Sequence, residues 1–188
     1  MTINTIEKQI VLVGALSDAD AFPFYDTSTF QTRQVPMSVL RGHMQGAPAV
    51  AAGAALTLTQ AVHSGKTIAL DTAAGSIVTL PPSTGGGAVY KFLVTVTATS
   101  NSHIIKVTAA TDDEMRGFVV QDAGEATAPN IWWAVDDDDT ITLNRTTSGL
   151  AAQGEYFEIV DAVLHHYFVR GFSAASDTEE TPFSATVS

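Results

Sequence analysis

From Leu56 onward apolar and polar residues alternate with a period of two, and no other feature constrains this chain as strongly. The stretches Thr67–Leu70, Ser76–Leu80, Val89–Thr97, His103–Thr108 and Gly117–Val120 are rich in β-branched and aromatic residues. So are Ile131–Val135, Thr140–Leu143, Glu155–Val160 and Leu164–Val169. Such side chains suit a pleated, half-buried surface. Turn-forming residues lie between them, at Asp71–Gly75, Pro81–Gly87, Ser100–Ser102, Asn144, Gly149 and Gly154. Val94-Thr-Val-Thr97 shows the pattern plainly, with valines expected toward a core and threonines toward water. Many short strands without a long helical period predict an all-β fold, an antiparallel β-sandwich of jelly-roll-like character. No fixed-length repeat points to a solenoid or propeller.

Residues 1–45 read differently. Pro23 holds Phe22-Pro-Phe-Tyr-Asp26 in an extended form, Thr27–Thr29 forms a turn, and Arg33-Gln-Val35 resumes extended chain. Pro36 and the capping Ser38 then predict one short helix through Met44. This segment has too few apolar residues to close a core, so it is expected to be an extended N-terminal arm that packs on something else. Its large apolar groups Phe22, Phe24, Tyr25, Leu40 and Met44 are the candidate partner-binding residues. Residues 46–55, almost all Ala, Gly and Pro, are expected to be a linker. Residues 56–173 would form the sandwich. Residues 174–188 would be a polar, acidic tail that frays, or else an arm gripping a neighbour through Phe183 and Val187.

Composition narrows the function. At 188 residues the chain is long enough for one domain that needs no metal or disulfide staple. Cysteine is absent, which removes disulfides, thiolate nucleophiles and cysteine-ligated metals. The formal charge of -11 argues against nucleic acid and against an anionic membrane surface. The longest apolar stretch, Ala47–Leu58, is too short to span a bilayer, where a helix needs about 20 residues. Lys8, Ile10–Leu16 and Ala19-Asp-Ala21 imitate a signal peptide poorly, because Glu7 cancels the early charge and Ser17-Asp18 interrupts the apolar run. With only four lysines, the chain has few flexible charged groups to solvate its surface, as expected where other subunits cover much of it.

No catalytic or metal-binding constellation emerges. His165 and His166, read as strand neighbours, would point to opposite faces and could not chelate one ion. His63 and His103 have no second ligand at a recognisable spacing. Asp136–Asp139 begins like a calcium loop, but Ile141 stands where an EF-hand needs Gly and Thr147 where it needs Glu, so a solvated turn is expected. Asp112-Asp-Glu114 makes no stronger case. Gly85–Gly87 lacks the Lys-Ser/Thr of a P-loop and is expected to be a tight strand connection. Of Trp132 and Trp133, one should face the core and the other should face outward, as interface or as a sugar platform. The expected protein therefore carries no catalytic, cofactor or metal site.

The stretch Ser64-Gly-Lys-Thr-Ile-Ala-Leu-Asp-Thr-Ala-Ala-Gly-Ser-Ile-Val-Thr-Leu-Pro81 resembles the opening of a β-module found in structural proteins of tailed bacteriophages. Tyr90–Thr97, Ser102–Lys106, Gly154–Val160 and Phe168–Gly171 are similar to its later strands, so the resemblance spans about residues 56–173. Ala19–Leu40 is similar to segments near the N-termini of phage tail and fibre proteins. The resemblance implies a non-enzymatic virion structural protein. Its expected location is the capsid surface, as a decoration or cement protein bound to the major capsid protein, commonly as a homotrimer. A short tail or head-fibre component with a carbohydrate-binding β-module is the alternative, although the receptor-binding C-terminal region of a host-recognition fibre is lacking.

Overall fold

In a computed structural model the described residues are 21–26, 31–36, 48–108, 112–122, 128–149, 153–176 and 178–186. The chain divides into two compact units, Met1–Ala47 and Pro48–Ser188. In the first, β1 (Ala21–Asp26) pairs antiparallel with β2 (Gln31–Pro36), Ala21 opposite Pro36 and Asp26 opposite Gln31. Pro23 cannot donate to a ladder, which an isolated two-stranded ribbon tolerates. The expected extended segments are thus the two strands of a hairpin. The expected turn at Thr27–Thr29 and the helix from Ser38 to Met44 lie outside the described residues.

The second unit is an all-β sandwich. Among the described residues strands dominate, and the only helix is the single turn Gln60–His63. One sheet contains β3 (Val50–Ala51), β5 (Thr67–Leu70), β7 (Ala88–Val94), β9 (Glu114–Asp122), β10 (Asn130–Trp133), β12 (Tyr156–Val163) and β13 (His166–Ala174). Its spatial order is β10-β9-β13-β12-β7-β5-β3. The other contains β4 (Ala55–Thr57), β6 (Ile77–Thr79), β8 (His103–Lys106), β11 (Thr140–Leu143) and β14 (Phe183–Ser184), in the order β14-β11-β8-β6-β4. Every stretch expected to be a strand is one, with its ends shifted by a few residues.

Pairing departs from the all-antiparallel expectation. β7, β12 and β13 form antiparallel ladders, but β13 runs parallel to β9, as do β3 to β5, β5 to β7, β4 to β6 and β6 to β8. Both sheets are therefore mixed, unlike the antiparallel sheets of a jelly roll. Parallel neighbours need crossovers between the sheets, which alternation cannot reveal.

The core lies between the sheets. Phe92, Tyr90, Ile159, Phe157, Tyr167, Met115 and Val119 of the larger sheet meet Val78, Ile105, Ile141 and Leu143 of the smaller, all fully buried. Each large side chain so buried contributes roughly 1.5–3 kcal/mol. β7 alternates buried and half-buried residues along its whole length but ends at Val94, so Val96 is only half-buried. Two expected connections are ordered pieces of this unit. The Ala/Gly/Pro stretch carries β3 and the start of β4, each paired parallel with a strand of the sandwich. The tail does not fray between Thr178 and Thr186. β14 pairs with β11 and puts Phe183 into the chain's own core, not a neighbour's.

Candidate functional site

The face of the larger sheet turned away from the core is the least ordinary surface of the second unit. Alternation on β9, β10, β12 and β13 sends Met115, Val119, Ile159, Tyr167 and Val169 inward, so the intervening residues face out. A solvated antiparallel face is usually polar there. Here it carries Ile131 and Trp133 of β10, Phe118 and Val120 of β9, Phe168 and Phe172 of β13, and Tyr156 and Val160 of β12. Trp133 is 64% exposed, Ile131 56%, and Phe168 and Phe172 44% each.

The register stacks these groups across strands. Trp133 lies opposite Phe118, with ring centroids 5.2 Å apart and planes tilted by 49°. Val160 lies opposite Phe168, and Tyr156 opposite Phe172. One charged pair crosses the face, Arg170 donating to Glu158, whose other carboxylate oxygen accepts from the Tyr156 hydroxyl at 3.2 Å. Phe118, Trp133, Val160, Phe168, Arg170 and Glu158 line an open depression of about 420 Å³. Gly117 helps to form it. Its φ is +118°, and a Cβ there would stand 2.0 Å from the carbonyl oxygen of Val169, so no other residue fits without displacing the β9–β13 ladder. Cross-strand aromatic and β-branched pairs, with Arg170 and the neighbouring Arg116 both engaged by carboxylates, suit a protein surface better than a reacting substrate.

Buried polar groups away from that depression hold loops in place. Asp161, almost fully buried, accepts the Ser83 hydroxyl at 2.8 Å, the Thr84 amide at 3.0 Å, the Thr84 hydroxyl at 2.9 Å and the Gly85 amide at 2.8 Å. Burial pushes its carboxyl up, but these four donors outweigh burial and hold it below the ordinary carboxylate range. Gly85, at φ +68°, lets consecutive amides converge on that carboxylate. The glycine run is thus a tight connection, as expected, organised by a side chain distant in sequence. Asp113, buried just before β9, accepts the Ser83 amide at 2.9 Å and faces His165 Nδ1 at 3.1 Å. Ser83 is no activated nucleophile, because its hydroxyl is committed to Asp161 and to the Val163 carbonyl and not to an imidazole.

The histidines separate for a reason different from the expected one. His165 sits at φ +65° in the turn between β12 and β13, while His166 opens β13 and its Nδ1 is 3.1 Å from the Leu164 carbonyl oxygen. His63 lies in the single helical turn Gln60–His63 and accepts the Thr59 amide at 2.9 Å. His103 is fully buried: Nδ1 accepts the Ser76 amide at 2.9 Å and Nε2 donates to the Val96 carbonyl at 2.9 Å. Burial lowers its basicity, overcoming the Val96 carbonyl and Asp71, which raise it.

The aspartate run is only half solvated. Asp136 and Asp137 are exposed in the turn, whereas Asp138 and Asp139 are buried. Asp138 accepts the Val135 amide at 2.8 Å, and Asp139 accepts the Thr186 amide at 2.9 Å. Burial, reinforced by Asp139, raises the Asp138 carboxyl despite that amide. Arg116 pairs with Asp136 and Glu114. Among the described residues no cluster of three His, Asp or Glu could hold a metal ion, and no helix is long and apolar enough to cross a membrane.

Of the residues singled out from sequence, Phe22, Phe24 and Tyr25 fall on β1, opposite Val35, Arg33 and Thr32. Leu40 and Met44 lie outside the described residues. Trp132 points inward and donates from Nε1 to Gln121 Oε1 at 2.8 Å, and Trp133 is the outward member, as the alternation required. Phe118, Phe168, Phe172, Tyr156 and Arg170 were not singled out. The available signal was large apolar residues at both parities of one strand, in Tyr167-Phe-Val169. Comparison with protein families, curated proteins and solved structures gives no match.

Proposed function

We propose that this chain is a non-enzymatic structural protein of a tailed-bacteriophage virion, a decoration or cement protein that binds the major capsid protein and stabilises the shell. The observation that carries this reading is the aromatic outer face of the larger sheet. Its composition matches the core of a protein interface, where aromatic residues and Arg are enriched and free charges are scarce. A separate N-terminal unit built on a hairpin provides a second attachment, with Phe22 and Phe24 on its first strand. Two modest contacts on one chain, repeated in the homotrimer that the resemblance implies, would add by multivalency.

Binding of the purified protein to undecorated shells, read by co-sedimentation, tests the reading. Trp133→Ala with Phe168→Ala should weaken binding at least 30-fold, the equivalent of about 2 kcal/mol for an interface anchor. Phe22→Ala with Phe24→Ala should abolish it while the second unit melts at an unchanged temperature. Full binding by both double variants would sink the proposal.

Exposed Trp133 tilted against Phe118 also supports the alternative, a short tail or head-fibre component whose β-module stacks on a sugar ring. Glycan-array binding lost in Trp133→Ala, together with no affinity for shells, would select it.

A further inference from the structure

We infer that β10 is a self-pairing edge, through which two copies of this chain join their larger sheets about a two-fold axis. β10 is the end strand of its sheet. Natural edge strands are usually blunted by charges, prolines or bulges. Here the eight residues Ala128–Val135 carry no charge, and within β10 there is no proline. In a chain of net charge -11, this is a stretch where two copies can meet without setting like charges face to face. The nearby carboxylate of Asp136 is paired with Arg116 of the same chain.

The direction of the backbone groups then selects the partner. The Ala134 amide donates to Gly117, and the register places Trp132 opposite Val119 and Asn130 opposite Gln121. Hydrogen-bonding groups alternate along a strand, so Asn130, Trp132 and Ala134 turn theirs toward β9. Ile131 and Trp133 turn theirs away from β9, toward the side where the sheet has no further strand among the described residues. The next outward amide, that of Val135, is already taken by Asp138 at 2.8 Å, which closes the edge at that end.

A second β10 satisfies those groups in one register. Residues opposite one another in an antiparallel pair share a face, so outward residues must meet outward residues. Centring the two-fold axis on Trp132 sets Ile131 of each copy against Trp133 of the other, and each such pair exchanges both its N–H···O bonds. The same register makes two isoleucine–tryptophan contacts on the outer face. An isologous contact of this kind needs no second patch. A four-residue strand buries less than the roughly 1,600 Å² of a standard interface, so the pairing should be weak in dilute solution and strong where copies are crowded. The inference does not depend on the capsid reading.

Because the chain has no cysteine, the register can be read by cross-linking. Opposed residues of a hydrogen-bonded pair have Cα atoms about 5.5 Å apart, within disulfide reach. Ile131→Cys and Trp133→Cys chains, mixed and oxidised at high concentration, should give a mixed dimer several-fold faster than either chain alone. Like residues in this register are offset by two positions, about 6.8 Å along the strand. The exposed Ile77→Cys on the other sheet is the control for random collision. In parallel, the sedimentation-average mass of the unsubstituted chain should rise with concentration. In Ile131→Pro, which removes an outward N–H together with the isoleucine side chain but none of the amides turned toward β9, it should rise less. A mixture no faster than the control, single variants as fast as the mixture, or unchanged association of Ile131→Pro would each overturn the inference.

Discussion

His103 should make this protein measurably acid-sensitive. A backbone amide can only donate and a carbonyl can only accept, so the Ser76 amide on Nδ1 and the Val96 carbonyl on Nε2 fix a neutral ring with its proton on Nε2. A second proton would have to sit on Nδ1, against the Ser76 N–H. The folded state therefore holds the ring less basic than the ordinary value of 6.5, first through burial. In the unfolded chain the ring takes up a proton near that ordinary value. Its contribution is thus complete above about pH 6.5 and is lost as the pH falls toward the lowered folded value. Each pH unit in which only the unfolded ring is charged removes about 1.4 kcal/mol. His103→Asn keeps an acceptor for Ser76 but abandons Val96 and leaves space, a cost of about 2–4 kcal/mol at pH 8. Below pH 6.5 the stability gap between the two proteins should narrow, by at most about 1.4 kcal/mol per pH unit and only until the folded ring takes up its own proton, since other titrating groups are common to both. Urea unfolding at half-unit pH steps measures the gap. A constant gap from pH 8 to 5 would refute the argument.

Two further substitutions test the scaffold. Asp161→Asn offers one acceptor oxygen to donors that now share two, leaves a buried amide unpaired and should cost about 2–4 kcal/mol in urea unfolding. Since the Asp161 carboxyl is held below its ordinary range, its contribution is intact at neutral pH and fades as acid protonates the folded carboxylate, so the Asp161→Asn deficit should shrink only below about pH 4. Gly117→Ala must bear a Cβ against the Val169 carbonyl at a φ that L residues rarely adopt, and should lose about 3 kcal/mol or more. Amide hydrogen exchange should locate that damage in β9, β10 and β13. Exchange unchanged in those strands would mean that the close approach is not needed.

The strands were legible because period-two alternation and turn residues are local signals. Their partners were not. Whether β9 lies beside β10 alone or also runs parallel to β13 depends on crossovers that leave no local trace. The same limit explains Asp138 and Asp161. A four-aspartate run reads as solvated, yet whether Asp138 caps a turn depends on how β10 enters it. Likewise, the donors to Asp161 come from 76 to 78 residues away. Phe183 was seen as an anchor, but sequence could not say whose core it would enter. Gly117 looked like an ordinary strand start, because its need for φ +118° arises only from the parallel neighbour.

The reading as a decoration protein stands or falls on stoichiometry. On that reading, quantitative mass spectrometry of purified virions would count the copies of this chain per particle. The proposal predicts a number comparable to that of the major capsid protein, since a decoration protein would occupy sites repeated over the whole shell. Complete absence from the particle would contradict the account.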